Sequence, residues 1–153
     1  MTDYSIIKKE LIQICESQLN EKKQMMLQSL ESLQDALMNE SKSSAGDKYE
    51  TGTEMIQIEK QKIQTQLGVL ETNFKLLNTA KSVNTGSTIK NGSLVITDNA
   101  NYFIGPSLGK ITSNENVFFS ISPSSPIAQL LLQKSKGDSF EFNNSTYKII
   151  EIC

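Results

Sequence analysis

The run Ile56-Gln-Ile-Glu-Lys-Gln-Lys-Ile63-Gln-Thr-Gln-Leu67-Gly-Val-Leu70-Glu-Thr-Asn-Phe74-Lys-Leu-Leu77 places large apolar residues at steps of 7, 4, 3, 4 and 3. That spacing is the a/d seam of a coiled-coil helix. A helix with one apolar stripe needs a partner to bury it. The partner lies upstream, where Ile12, Leu19, Met26, Leu30, Leu33 and Leu37 follow steps of 7, 7, 4, 3 and 4. Between the runs, Ser41-Lys-Ser-Ser-Ala-Gly-Asp-Lys-Tyr-Glu-Thr-Gly52 is rich in turn and capping residues and short enough to make the two helices antiparallel. Residues 1–81 are therefore expected to form a helical hairpin with its tip near 43–51. About 30 residues of the second helix would reach roughly 45 Å. Lys23 and Lys60, which interrupt the seams, are expected to snorkel.

The composition changes near residue 82. Residues 82–153 hold all three prolines and five of the eight glycines, with most of the aromatics. Ser87-Thr-Ile-Lys, Asn91-Gly92 and Ser93-Leu-Val-Ile-Thr97 suggest a tight hairpin with a type I′ turn. Asn101–Gly105, Val117–Ile121, Phe140–Phe142 and Tyr147–Ile152 are further β-rich runs. In Ser125-Pro-Ile-Ala-Gln-Leu-Leu-Leu-Gln-Lys134, Ser125 suits a helix N-cap and Pro126 the first helical position. The fold class expected is α+β: a two-helix hairpin, then about five strands covered by one helix.

Composition narrows the chemistry. Fifteen Lys+Arg nearly balance 17 Asp+Glu, so the chain lacks the overall basic excess of a nucleic-acid binder. With no histidine, and with Cys15 far from Cys153, neither zinc-ligand spacing nor a Ser/His or Cys/His nucleophile is available. The N-terminus has no basic, then apolar, leader pattern, and no run approaches 18 apolar residues. A soluble, cytoplasmic monomer without membrane association is expected.

Carboxylates gather without a packing reason only at Gly46-Asp47-Lys48-Tyr49-Glu50. If the second helix has begun there, Asp47 and Glu50 share one face; if it begins at Thr51, they lie in the loop. Two carboxylates cannot complete an octahedral Mg²⁺ shell, but they can complete one whose other ligands come from a partner. The alternative is local: acids in a first turn offset the helix dipole by about 0.3–1 kcal/mol, and Thr51-Gly-Thr-Glu54 is a capping box. Lys48 and Tyr49 are candidate contact residues beside them.

Two stretches resemble the GreA/GreB family of transcription elongation factors. Ser125-Pro-Ile-Ala-Gln-Leu-Leu-Leu-Gln-Lys-Ser-Lys-Gly-Asp138, with the closing Tyr147-Lys-Ile-Ile-Glu-Ile152, is similar to that family's C-terminal motif. Gly46-Asp47-Lys48-Tyr49-Glu50 keeps the spacing of its tip motif. The resemblance implies an FKBP-like domain over 82–153 that docks on RNA polymerase, with Ser125 and Pro126 at the docking surface. It also implies a hairpin that enters the secondary channel. There Asp47 and Glu50 would share a Mg²⁺ with the polymerase, so that the polymerase itself cleaves backtracked RNA; the chain would hold no cofactor alone and touch nascent RNA only in that complex. The sequence departs from the family at Thr51, Thr53 and Gln133, the last in place of a glycine. Those departures admit a second expectation, a secondary-channel regulator or inhibitor that does not stimulate cleavage. A coiled-coil adaptor or a prolyl isomerase is a third, although the chain has no tryptophan and 82–153 shows no series of aromatic pocket residues.

Overall fold

The twelve apolar seam positions of the two heptad runs, six between Ile12 and Leu37 and six between Ile56 and Leu77, are buried or partly buried, while Met25, Leu27, Met38, Met55, Ile58 and Val69 lie off the seams and are exposed. This is the pattern of helices with a single buried stripe. The helices are α1, Tyr4–Ser41, and α2, Gly46–Ser82. The computed structural model describes residues 3–41, 46–83 and 86–153, and side chains outside 40–51. Among these residues no helix is long and apolar enough to cross a membrane.

The chain divides into two compact units, Gln18–Glu71 and Met1–Ser17 with Thr72–Cys153. In the first, the α1 and α2 segments lie side by side. Leu33 and Ile63 share the wall of one open groove with Met25 and Glu59, and Lys60 Nζ donates to Gln34 Oε1 at 3.1 Å. Lys60 thus reaches from the interrupted seam to a polar partner on the facing helix, as a snorkelling lysine does.

The other unit holds the sheet. Its strands are β1 Leu94–Thr97, β2 Asn101–Ile104, β3 Gly109–Ser113, β4 Asn116–Ile121, β5 Ser139–Phe142 and β6 Ser145–Ile152, with α3, Pro126–Leu131, between β4 and β5. The six strands lie in the order β3-β4-β2-β1-β6-β5. The sheet is mixed: β2 and β4 are parallel, and β3, at the edge, pairs antiparallel with β4.

One sheet face carries a core of Val95, Tyr102, Ile104, Phe140 and Ile149 with Ile89 and with Leu131 of α3. On β4, Ser120 alternates away from that core and meets Cys15 of α1, whose thiol interacts with the serine side chain. Phe118, two residues away on the same strand, shares this second face. Leu11, Cys15, Leu77 and Ala80 from the helices, and Leu94, Phe103 and Phe118 from the sheet, are all at most 2% exposed. β1 is buried at all four positions, as a central strand covered on both faces should be.

Two details differ from the sequence expectation. The segment 87–90 does not pair with β1. Only Gly92 has a positive φ in the 90–93 turn, at 93°, and Ser93 N–H donates to the Lys90 carbonyl at 3.0 Å. A type I′ turn needs two positive φ angles, so this is a turn of the type II kind, which does not close a two-residue hairpin. Ile89 instead exchanges two backbone bonds with the chain after α3: its N–H donates to the Lys134 carbonyl and its carbonyl accepts from the Gln133 N–H, both at 2.8 Å. The type I′ geometry occurs at Asn114-Glu115, φ 49° and 69°, and at Asn143-Asn144, φ 50° and 64°. Strand β3 was not expected, because Gly109-Lys-Ile-Thr-Ser holds one large apolar residue and Ile111 alone anchors it.

Candidate functional site

Ser125 shows how a local sequence positions a candidate docking residue. Its extended backbone, φ −66° and ψ 151°, precedes Pro126, and its side chain accepts the Ala128 N–H of α3 at 3.3 Å. The same hydroxyl donates to the Ser122 carbonyl at 2.8 Å, so it both starts α3 and closes the preceding loop. Gln129 Nε2 ties that loop down through the Pro123 carbonyl at 2.7 Å. The hydroxyl of Ser125 is therefore committed to its own fold, whereas Pro126 is exposed. Sequence expectation placed the end of this helix near Lys134; it stops at Leu131, and Gln133 adopts φ 69°. The position where the resembled family carries glycine is thus one whose backbone favours glycine.

Asp47, Lys48, Tyr49 and Glu50 lie in the first turns of α2 by their backbone. That decides between the two geometries the sequence left open: Asp47 and Glu50 are three residues apart within a helix. Their side chains lie outside those described, as do residues 42–45. Among the described residues no group of three or more His, Cys, Asp or Glu could hold a metal ion.

Polar links between helices and sheet were not expected from sequence. Glu10 Oε2 accepts from Ser113 Oγ at 3.2 Å and from Asn114 Nδ2 at 3.0 Å. Asn73, nearly buried, accepts the Ser107 N–H at 2.9 Å. Lys81 and Glu16 pair at 2.8 Å. Lys8 is 8% exposed and donates to the Cys153 carbonyl at 3.3 Å. Burial lowers its pKa, with the charge at Cys153 acting in the opposite direction. The Cys15 thiol is pushed up to about 11, chiefly by burial, which keeps it a neutral, unreactive core group at neutral pH. These partners stand 34 to 145 residues apart in the chain, and no local pattern announces such pairs.

No family model, curated protein or solved structure matches this chain.

Proposed function

We propose that this protein is an RNA polymerase-binding transcription elongation factor of the GreA/GreB type, whose helical hairpin enters the secondary channel and stimulates cleavage of backtracked RNA. The observation that carries this reading is the pair Asp47 and Glu50, spaced three apart in the first turns of α2, at the turn of a hairpin of 38- and 37-residue helices. Carboxylates at one end of a long helix pair are suited to being delivered into a partner's active site. Support also comes from the chain order, hairpin then sheet with one short helix, and from the Ser125-Pro126 start of that helix. In this reading residues 82–153 are FKBP-like and dock on the polymerase, with Ser125 and Pro126 at or near the contact.

Mechanistically, Asp47 and Glu50 would supply oxygen ligands to a Mg²⁺ shared with the polymerase, and Lys48 and Tyr49 would contact the channel or the RNA. Divalent metal bound there would supply activation of water and stabilisation of charge on the leaving oxygen. The chain is not itself an enzyme in this scheme. A second reading, a channel-binding regulator without cleavage activity, is favoured by Thr51 and Thr53 in place of the resembled family's Asn and acid. Purified polymerase halted in a backtracked complex separates the two. Added protein should speed release of the 3′ RNA fragment; binding that competes with a known channel occupant, without cleavage, selects the second reading, and absence of binding removes both.

A further inference from the structure

Asn91-Gly92 carries a reaction that the proposed function does not use. In an Asn-Gly unit the glycine nitrogen attacks the asparagine Cγ. The new C–N bond closes a five-membered imide, the Cγ–Nδ2 bond breaks, and Nδ2 leaves as ammonia with the proton from the glycine nitrogen. One water then opens the imide at either carbonyl, giving aspartate or isoaspartate. Asparagine is thermolabile for this reason, and glycine has no side chain to hinder the attack.

The fold controls each requirement. Asn91 is exposed, but Gly92 is buried. The Gly92 N–H donates to the Ile104 carbonyl at 2.7 Å. Its Cα side is packed so closely on α2 that a Cβ there would stand 3.0 Å from Ala80 Cα. Lys90 and Ser93 close the turn around it through two bonds, Ser93 N–H to the Lys90 carbonyl and Lys90 N–H to Ser93 Oγ, both 3.0 Å. The attacking nitrogen is therefore bound, and the backbone rotation that would bring it onto Cγ requires Gly92 to leave both Ile104 and Ala80.

We propose that Asn91-Gly92 is a fold-gated modification site, shielded in the closed protein and converted to aspartate or isoaspartate only in chains whose 90–93 turn has opened. Isoaspartate lengthens the main chain by one methylene at a turn with no spare room. A chain carrying isoaspartate therefore recloses poorly, and each such conversion withdraws an opened molecule from the folded pool.

The test follows the full chain at mildly alkaline pH and 37 °C, folded or in denaturing urea, with isoaspartate at position 91 measured by peptide mass spectrometry. Conversion in the folded protein should be slower by at least about tenfold. Across intermediate urea it should rise in step with hydrogen exchange of the Gly92 amide. After urea removal, the isoaspartate-containing protein should unfold at a lower midpoint than unconverted protein from the same sample. Equal conversion in the folded and unfolded states, rapid exchange of the Gly92 amide in the folded protein, or an unchanged midpoint in the isoaspartate-containing protein would each overturn the proposal.

Discussion

The backbone N–H of Gln133 donates to the carbonyl of Ile89 at 2.8 Å while Gln133 itself sits at φ 69°. Ile89 is 1% exposed and belongs to the core beneath α3. The left-handed residue after the helix thus turns the chain so that it can bind the segment leading into β1. A side chain in that region is disfavoured by roughly 1–2 kcal/mol, and glycine is not. Gln133→Gly should therefore raise unfolding stability by about 1 kcal/mol once the extra entropy of the unfolded glycine is subtracted. Urea unfolding checks this, and a destabilised variant would show that the glutamine side chain contributes more than the backbone loses.

Along the hairpin, stability should follow burial and not hydrophobicity. Leu77 is 1% exposed and Met25 is 68% exposed. Leu77→Ala is expected to cost about 2–5 kcal/mol and Met25→Ala under about 0.5. Leu33 and Leu67, only partly buried, should fall between them. Thermal or chemical unfolding of the four variants gives the order directly, and equal losses would contradict the seam.

Cys15 makes alkaline stability measurable. Its thiol is raised from an ordinary 9.0 to about 11 by burial. Below pH 9 neither state has lost the proton, so the contribution is fully present. Between 9 and about 11 the unfolded chain releases it and the folded chain does not, so stability falls with pH by up to about 1.4 kcal/mol per unit. The lowered pKa of Lys8 acts in the opposite sense in the alkaline range. The difference between wild type and Cys15→Ala therefore isolates the thiol. Wild type should lose the larger share of its stability over this window, and parallel pH profiles would show that the thiol is not shielded.

Cutting the chain at residue 82 should expose the second face of the sheet. Leu94, Phe103 and Phe118 are at most 2% exposed in a unit that also contains Leu11, Cys15, Leu77 and Ala80. A fragment of residues 82–153 is thus expected to have a lower melting temperature than the full chain and to bind a hydrophobic dye. Full-length thermal stability in that fragment would mean that the helix ends contribute nothing to the sheet.

Replacing Asp47 and Glu50 together, by Asn and Gln, distinguishes the delivery of metal ligands from helix capping. If the pair supplies ligands to a shared Mg²⁺, stimulated cleavage should be abolished while polymerase binding and helicity stay nearly unchanged. If the acids only offset the helix dipole, stability should fall by up to about 1 kcal/mol per residue with no selective loss of cleavage. Cleavage assays and circular dichroism on the same preparation separate the two.

The seams of the hairpin, the cap at Ser125 and most strands were legible in the sequence because each is set by residues within a few positions: a 3.5-residue period, a hydroxyl before a proline, alternating apolar side chains. Asp47 and Glu50 were recognisable as a spacing, and their membership of α2 follows from the helix beginning at Gly46. What the sequence could not reveal depends on partners far along the chain. Thr88–Lys90 has the local signature of a hairpin arm, yet Ile89 gains two backbone bonds and a buried site beside Leu131 by pairing beyond α3. Strand β3 exists because β4 offers five paired positions to a segment with only one strong apolar anchor. Glu10 meets Ser113, and Asn73 meets Ser107, because the helix ends cover a sheet face. Local propensity selects helices, caps and turns, whereas strand partners and buried polar pairs are selected by which pairings leave no backbone group or apolar face uncovered, and only the folded chain as a whole can satisfy that condition.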